Sequence, residues 1–509
     1  MTSHEQPRPH PAWLPGKSPQ FVATIVVNLI AFSFGCACGW PSVAGPRLSA
    51  LGCSEEALSW VAAVVWPAGL VGAALFGPLT ERLGRRLSAL LVAVPLAAGW
   101  LILLLPQLWR DMDAAVAVEA EDAVNATSAE PVMLEDGGVD NILMSVLAGR
   151  AILGVGMGGV LIVCPMYVGE VVEDALRGQL GSYMPLFINA GILYVYALGA
   201  QVGWSALALL CAAFPVAFLA LFFCMPETPM YMLSRGDERG AMDSFMWLRD
   251  PRRGDVDGEL STLKASVKRS DADGGGGHGT VNARDLVATR GSRHALVIVL
   301  GLLALQQFSG ITAILNYANS IFDMAGSTLR PDVASVVVAA VQLLGSVAAC
   351  GLADSLGRLP LLFASYGSMA AALGLLGACF RWPGLMPGWV PVVCLSFYIL
   401  MYAVGSGPAP FLLLVEVFPA HLRALASQAG LGALFTLAFL VAKFFSTLSN
   451  ALGAAGCFWL FAGCCTAGVV FIRLTIPETK GRAVDDIVAQ LEGGAPPAPR
   501  KVSKADSIV

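Results

Sequence analysis

Two adjacent glutamines, Gln306 and Gln307, stand in an apolar run that begins near Leu296. From Ala304 to Phe322 it reads A-L-Q-Q-F-S-G-I-T-A-I-L-N-Y-A-N-S-I-F. An unsatisfied amide in hydrocarbon costs several kcal/mol, so this pair needs a partner helix or a water-filled cavity. Gly310 behind it permits a bend or the close approach of a neighbour. Two uses fit these residue types. Amides can hold helices together, or, because an amide donates and accepts at once, they can form a polar wall for a hydroxyl-rich solute. Catalysis has little material. The five histidines, His4, His10, His278, His294 and His421, fall in or beside polar segments, and no Ser/His/Asp set lies inside an apolar run, which argues against an enzyme. The 12 cysteines mostly sit in apolar runs without zinc-ligand spacing, so they read as packing residues, and neither a metal nor a cofactor is expected.

What carries the glutamines is a membrane protein. The 509 residues are 56% hydrophobic and only 13% charged, where soluble domains carry roughly a quarter charged residues; nothing here points to nucleic acid. With about 20 residues per crossing, spans fall near 21–43, 57–80, 86–106, 142–166, 179–201 and 205–225. Six more fall near 294–317, 332–353, 359–380, 389–414, 425–448 and 453–475. Twelve spans put both termini on one side. Most of the 31 Lys and Arg lie in the termini, 81–86, 170–177, 226–293, 354–358, 416–423 and 477–504, which makes those segments cytosolic. Segment 107–141 is then extracellular, and it carries the sequon Asn125-Ala126-Thr127, a glycosylation candidate. The expected domains are a cytosolic tail (1–20), a six-helix half (21–225), a cytosolic linker (226–293), a second half (294–475) and a cytosolic tail (476–509). Short linker helices are expected around Glu238–Leu248 and Gly258–Lys268.

Internal repeats relate the halves. Glu81-Arg82-Leu83-Gly84-Arg85-Arg86 follows span 2 and Asp354-Ser355-Leu356-Gly357-Arg358 follows span 8. Glu170 and Arg177 follow span 4, while Glu416 and Arg423 follow span 10 at the same spacing. Pro226-Glu227-Thr228 follows span 6, and Pro477-Glu478-Thr479 follows span 12. Three signatures in register define two parallel six-helix pseudo-repeats. The fold class is therefore an all-α membrane protein of twelve transmembrane helices with a small cytosolic helical segment between the halves. In span 10, Gly405-Ser406-Gly407-Pro408-Ala409-Pro410 cannot form a regular helix, and its freed carbonyls need a cavity or a neighbour.

At these residues the chain resembles the sugar porter family of the major facilitator superfamily, most closely its facilitative glucose and trehalose transporters of animals. The likeness covers roughly residues 21–490. It rests on the motifs above together with Arg150 and the glycines of span 4, Tyr167-Val-Gly-Glu170 and Gln306-Gln307-x-Ser-Gly310. Glu416-x-x-Pro419 and Pro477-Glu-Thr-Lys-Gly-Arg482 complete it.

The resemblance implies a small-molecule sugar as substrate, carried by alternating access. It implies that Glu81, Arg85, Arg86, Glu170 and Arg177, with Asp354, Arg358, Glu416 and Arg423 as counterpart, clamp the cytosolic ends in one state and part in the other. It makes Asn316 and Tyr317 an outer gate, and the broken span 10 at Gly407, Pro408 and Pro410 a cytosolic gate. It places Gln306, Gln307, Thr312, Gln342 and Phe411 around the solute, with Thr312 where Asn is usual and Phe411 where Trp is usual. Elsewhere the match thins: Pro185 stands for a Gln, Ala403 for a Glu, and Leu434 and Phe435 for an Asn-Trp pair.

Proton-coupled members carry a buried Asp in span 1, where this chain has Ala37 within Gly35-Cys36-Ala37-Cys38-Gly39. With no obvious mid-span carboxylate, uniport of a hexose or trehalose is the expectation. The alternatives are a proton-coupled carrier, a carrier of a polyol or other organic solute, or a sugar sensor that has lost transport. Lys443 lies near the outer end of span 11 and is expected to snorkel. The ending Ser507-Ile508-Val509 fits capture by a PDZ domain. A monomer in the plasma membrane with both termini cytosolic is the expected setting.

Overall fold

The computed structural model describes residues 18–105, 136–249, 258–265, 283–384, 386–478 and 484–492. Asn125, Ser507-Ile508-Val509 and residues 1–17 lie outside them, and so does the side chain of Asp354. Among the described residues the regular structure is helical. Eleven helical runs are long and apolar enough to cross a membrane. The last, Ala420–Thr475, spans 56 residues, about 80 Å at the rise of an α-helix against a hydrocarbon core of about 30 Å. It is broken at Gly453, where φ is 71° and ψ is 161°, into two crossings. Twelve spans result.

Spans 1 to 4 are Ser18–Ala50, Glu55–Leu83, Arg85–Ile102 and Asp136–Val171. Span 5 joins Asp174–Gly181 to Tyr183–Gly199, and span 6 is Trp204–Phe222. Span 7 joins Arg290–Phe308 to Ile311–Met324; spans 8 and 9 are Pro331–Leu356 and Arg358–Arg381. Span 10 runs Val390–Val417 through a π-helical turn, and spans 11 and 12 are 420–452 and 454–475. Span 1 continues beyond the expected 43, past Pro41 and Pro46. Its end is tied down by Arg47, whose Nη2 donates to the carbonyls of Gly199 (2.6 Å) and Val202 (3.1 Å) at the end of span 5.

The linker forms helices Pro229–Ser234 and Glu238–Leu248, and 258–265 is helical. Trp247 and Leu248 dock onto the core of the first half. The C-terminal tail contains a helix Val484–Leu491. Ile487 and Leu491 recur at helical spacing and bury against the second half.

Two apolar cores form, one around spans 1–6 and one around spans 7–12. The first also takes in Ala318, Ala339, Leu431, Phe435, Ala438 and Ala442 from spans 7, 8 and 11, where the halves meet. Polar contacts between halves gather in the middle and towards the end where span 1 finishes and span 2 begins. Ser42 Oγ accepts from the Asn319 N–H (3.1 Å), and the Ser42 carbonyl accepts from Asn319 Nδ2 (3.0 Å). Tyr196 donates to the Leu315 carbonyl (2.5 Å), and Glu55 accepts from Ser446 (3.2 Å) and Asn450 (2.7 Å).

Candidate solute-binding site

Gln306 sits where two broken helices meet. Span 7 stops at Phe308 and restarts at Ile311, with Gly310 between them at φ 90°. A Cβ at Gly310 would lie 2.5 Å from the Phe461 ring, so the position needs glycine for both its conformation and its space. Span 10 widens into a π-turn over Tyr402–Ser406, closed by the Gly407 N–H on the Tyr402 carbonyl (2.8 Å). The prolines that follow cannot supply the missing donors. Gln306 supplies them from across the bundle: its Nε2 donates to the carbonyls of Ser406 (3.2 Å) and Gly407 (3.0 Å) and to Tyr402 OH (3.1 Å). π-turns of this kind concentrate at functional sites. Gln307 Oε1 accepts from Thr312 Oγ1 (2.6 Å), both residues being buried.

A second amide pair joins spans 5 and 8. Gln342 Nε2 donates to Asn189 Oδ1 (3.0 Å), and Asn189 Nδ2 donates to Ser346 Oγ (2.5 Å). The buried polar atoms with no partner among the described residues include Gln306 Oε1, Gln342 Oε1 and Asn316 Nδ2. A buried unpaired polar atom costs about 1–3 kcal/mol, and such atoms are rare without a ligand or water to meet them. Phe411 is different. It is 42% exposed and lies outside the buried cluster of the second half.

Two of the apolar replacements noted in the sequence pack against neighbouring spans. Phe435 is fully buried, its ring 6.3 Å from that of Trp66 and close over Gly69 of span 2, so it joins the halves. Ala403 lies against Gly345 of span 8, where a Cβ added to the glycine would stand 3.0 Å from the alanine methyl.

Span 7 bends again at Tyr317 (φ −120°, ψ 20°). Its ring lies 5.1 Å from Phe445, and its hydroxyl donates to the Ala442 carbonyl (3.4 Å), against span 11. Lys443 does more than snorkel. Its Nζ crosses to the other half, 2.8 Å from Ser59 Oγ, 4.4 Å over the Trp60 ring and 3.9 Å from Glu56. Arg150 is buried without exposure and spends its guanidinium on backbone carbonyls of Val61 (3.0 Å), Ala37 (2.5 Å) and Ala62 (3.5 Å).

At the opposite end the motif charges pair within each half. Arg85 grips Glu170 through Nε (2.9 Å) and Nη2 (2.7 Å), and Thr228 donates to the same carboxylate (2.6 Å). Arg86 reaches the Phe223 carbonyl. In the second half Arg358 pairs with Glu416 (3.0 Å), and Arg423 donates to the Phe418 carbonyl (3.0 Å). Glu81, expected in the cluster, is exposed and stands apart from that network. A different acid takes the central place. Glu227 accepts from the N–H groups of Arg85 (3.0 Å), Arg86 (3.0 Å) and Thr228 (2.9 Å), capping the start of span 3 from another segment. Burial pushes its carboxyl above the ordinary value, and these backbone bonds oppose the rise. Glu478 accepts from the Leu359 N–H (3.3 Å) in the matching place on span 9. The Pro-Glu-Thr repeat was the visible signal for these caps.

Two six-helix halves, with spans 7 and 10 broken and tied together by Gln306, define a membrane carrier of the major facilitator fold. The xylose transporter XylE from E. coli in its inward open conformation shares that fold at a TM-score of 0.73, with 23% identity over 92% of this chain and 99% of that one. The human organic anion transporter MFSD10 (TETRAN) shares it at 0.54 and 16% identity, over 89% of this chain and 99% of that one. At these identities the likeness speaks for fold alone. A family model described as "Sugar (and other) transporter" matches residues 22–491. The chain belongs to that family. Facilitated trehalose transporter Tret1 of Bombyx mori is 33% identical over 482 residues, covering 94% of this chain and 87% of the relative. Tret1 of Drosophila yakuba is 35% identical over 494 residues, and the chain spans 53% of its length. These relatives are transporters rather than enzymes.

Proposed function

We propose that the protein is a facilitative carrier, a uniporter, of a sugar, either a hexose or trehalose, working by alternating access between its two six-helix halves. The observation that carries this is the set of unpartnered buried atoms. Two amide oxygens, on Gln306 and Gln342, and one amide nitrogen, on Asn316, offer acceptors and a donor to a solute rich in hydroxyls. Gln307 and Thr312 extend the same wall, and Phe411 offers an apolar face for a ring to rest on. The names of the relatives, facilitated trehalose transporters, point the same way.

Uniport is supported by span 1. Arg150 meets the backbone carbonyl of Ala37 there rather than a carboxylate, and the described acids of the spans lie near helix ends. The contacts between halves, gathered around Ser42, Asn319, Glu55 and Lys443, support a state closed on that side. The positive-inside bias makes that side extracellular and both termini cytosolic. Bends at Tyr317 and at Gly407–Pro410 then serve as the outer and cytosolic gates, with the motif charges setting the cytosolic ends. A plasma-membrane monomer, glycosylated at Asn125 and bound through Ser507–Val509 by a PDZ domain, completes the proposal.

The test is counterflow of labelled glucose and trehalose in vesicles holding the purified protein. Counterflow with either, unaffected by pH and by uncouplers, is expected. Acid-stimulated uptake would refute uniport, and absence of counterflow with both would favour another solute or a sensor.

A further inference from the structure

The resemblance places Pro185 where span 5 usually supplies a Gln, and Pro185 has no side-chain donor or acceptor. One helical turn further on the same face stands Asn189. It is half-buried, and side-chain hydrogen bonds join it to Gln342 and Ser346 of span 8 in the other half.

The bonding leaves a complementary vacancy. An asparagine side chain has two N–H groups and a carbonyl with two lone pairs. Asn189 spends one N–H on Ser346 Oγ and one lone pair on Gln342 Nε2, which leaves a second N–H. Gln342, 4% exposed, has an Oε1 with no partner beside this bond. A free donor on one half and a free buried acceptor on the other suit a single hydroxyl, which accepts from the first and donates to the second.

We infer that Asn189 is the solute ligand contributed by the first half, and that one sugar hydroxyl bridges Asn189 Nδ2 and Gln342 Oε1. This rests on the sugar-carrier function proposed above. The bridge would give the solute a grip on both halves at once, as a carrier that moves only when loaded needs. Asn189 would also select for a hydroxyl at one ring position, since an analogue lacking it leaves both amide atoms unpaired.

The experiment compares wild type with Asn189→Ala in vesicles, using the transported sugar and each of its singly deoxygenated analogues. Wild type should discriminate against one analogue by about tenfold in half-saturation, and Asn189→Ala should lose that discrimination while its half-saturation for the parent sugar rises about tenfold. A residue that only packs would not erase discrimination at one position. Ser346→Ala gives the opposite sign and covers the case in which Asn189→Ala does not reach the membrane. Freeing the Asn189 amide for the solute should lower half-saturation severalfold. Wild-type discrimination retained by Asn189→Ala, or a half-saturation unchanged or raised in Ser346→Ala, would overturn the inference while leaving sugar transport standing. Wild-type vesicles that carry neither sugar would overturn both.

Discussion

Lys443→Met isolates the outer contact between the halves. In the structure the ammonium donates to Ser59 at 2.8 Å and lies 4.4 Å over Trp60, with its side chain only 14% exposed. A hydrogen bond from a charged group contributes about 1.5–3 kcal/mol at best, and a cation over an indole about 0.5–2 kcal/mol. The pair with Glu56 adds little, because Glu56 is 81% exposed at 3.9 Å. Methionine keeps the apolar stem and so preserves packing. After allowance for overlap between these terms, about 2 kcal/mol should leave the closed outer face, a shift of roughly thirtyfold towards the outward-facing state. Zero-trans entry and exit in oriented vesicles read this directly. Half-saturation for entry should fall and that for exit should rise. In a passive carrier the ratio of maximal rate to half-saturation must be equal in the two directions, so the maximal rates must become unequal in parallel. Ser59→Ala, which keeps the indole contact, should move the ratio less. Unchanged asymmetry in Lys443→Met at normal surface level would refute the latch and, with it, the view that this side contact sets the resting state.

Three further outcomes are expected. Gln306→Leu and Gln307→Leu should each abolish counterflow at normal surface level, and Gln306→Leu should also lower thermal stability because it strands the Ser406 and Gly407 carbonyls; near-normal uptake by both would place the site elsewhere. Gly84→Ala should destabilise the protein by about 1–2 kcal/mol or more, since φ is 92° there and a Cβ would meet Glu227 Oε2 at 2.3 Å, which a lower melting temperature in detergent would register. Arg150→Lys keeps the charge but cannot reach three carbonyls with one ammonium; lower thermal stability and reduced transport are expected, and wild-type values in both would show that the fork is not needed.

Much of the fold could be read from the chain because the hydrocarbon imposes it. Twelve apolar runs, the breaks at Gly310 and at Gly405–Pro410, and the linker helix Glu238–Leu248 follow from local composition and backbone chemistry. What escaped depends on contacts distant in sequence. Glu227 marked a repeat, but its role as a cap on span 3 is set by where span 6 ends in space. Lys443 had an ordinary explanation in snorkelling, and only the approach of span 2 gives it Ser59 and Trp60. Asn189 carried a signal that went unused. It is an amide deep in an apolar run, the same anomaly that marks Gln306, and it stands one turn from Pro185.

Gln306 shows why the choice between structural glue and solute wall is false for this site. Its amide nitrogen is committed to the carbonyls that the π-turn of span 10 releases, while its amide oxygen is buried and unmet. The same group therefore holds span 7 to span 10 and, in the carrier proposed above, keeps an acceptor to offer a solute. A hydroxyl that donates to that oxygen polarises the amide and strengthens its N–H donors, which tightens the grip on the break in span 10. Under the proposed function, occupancy of the site and the shape of the cytosolic gate would be joined through one side chain. In the proposed uniporter an uncharged site would in this way report its loading to a gate without a proton or an ion as intermediary.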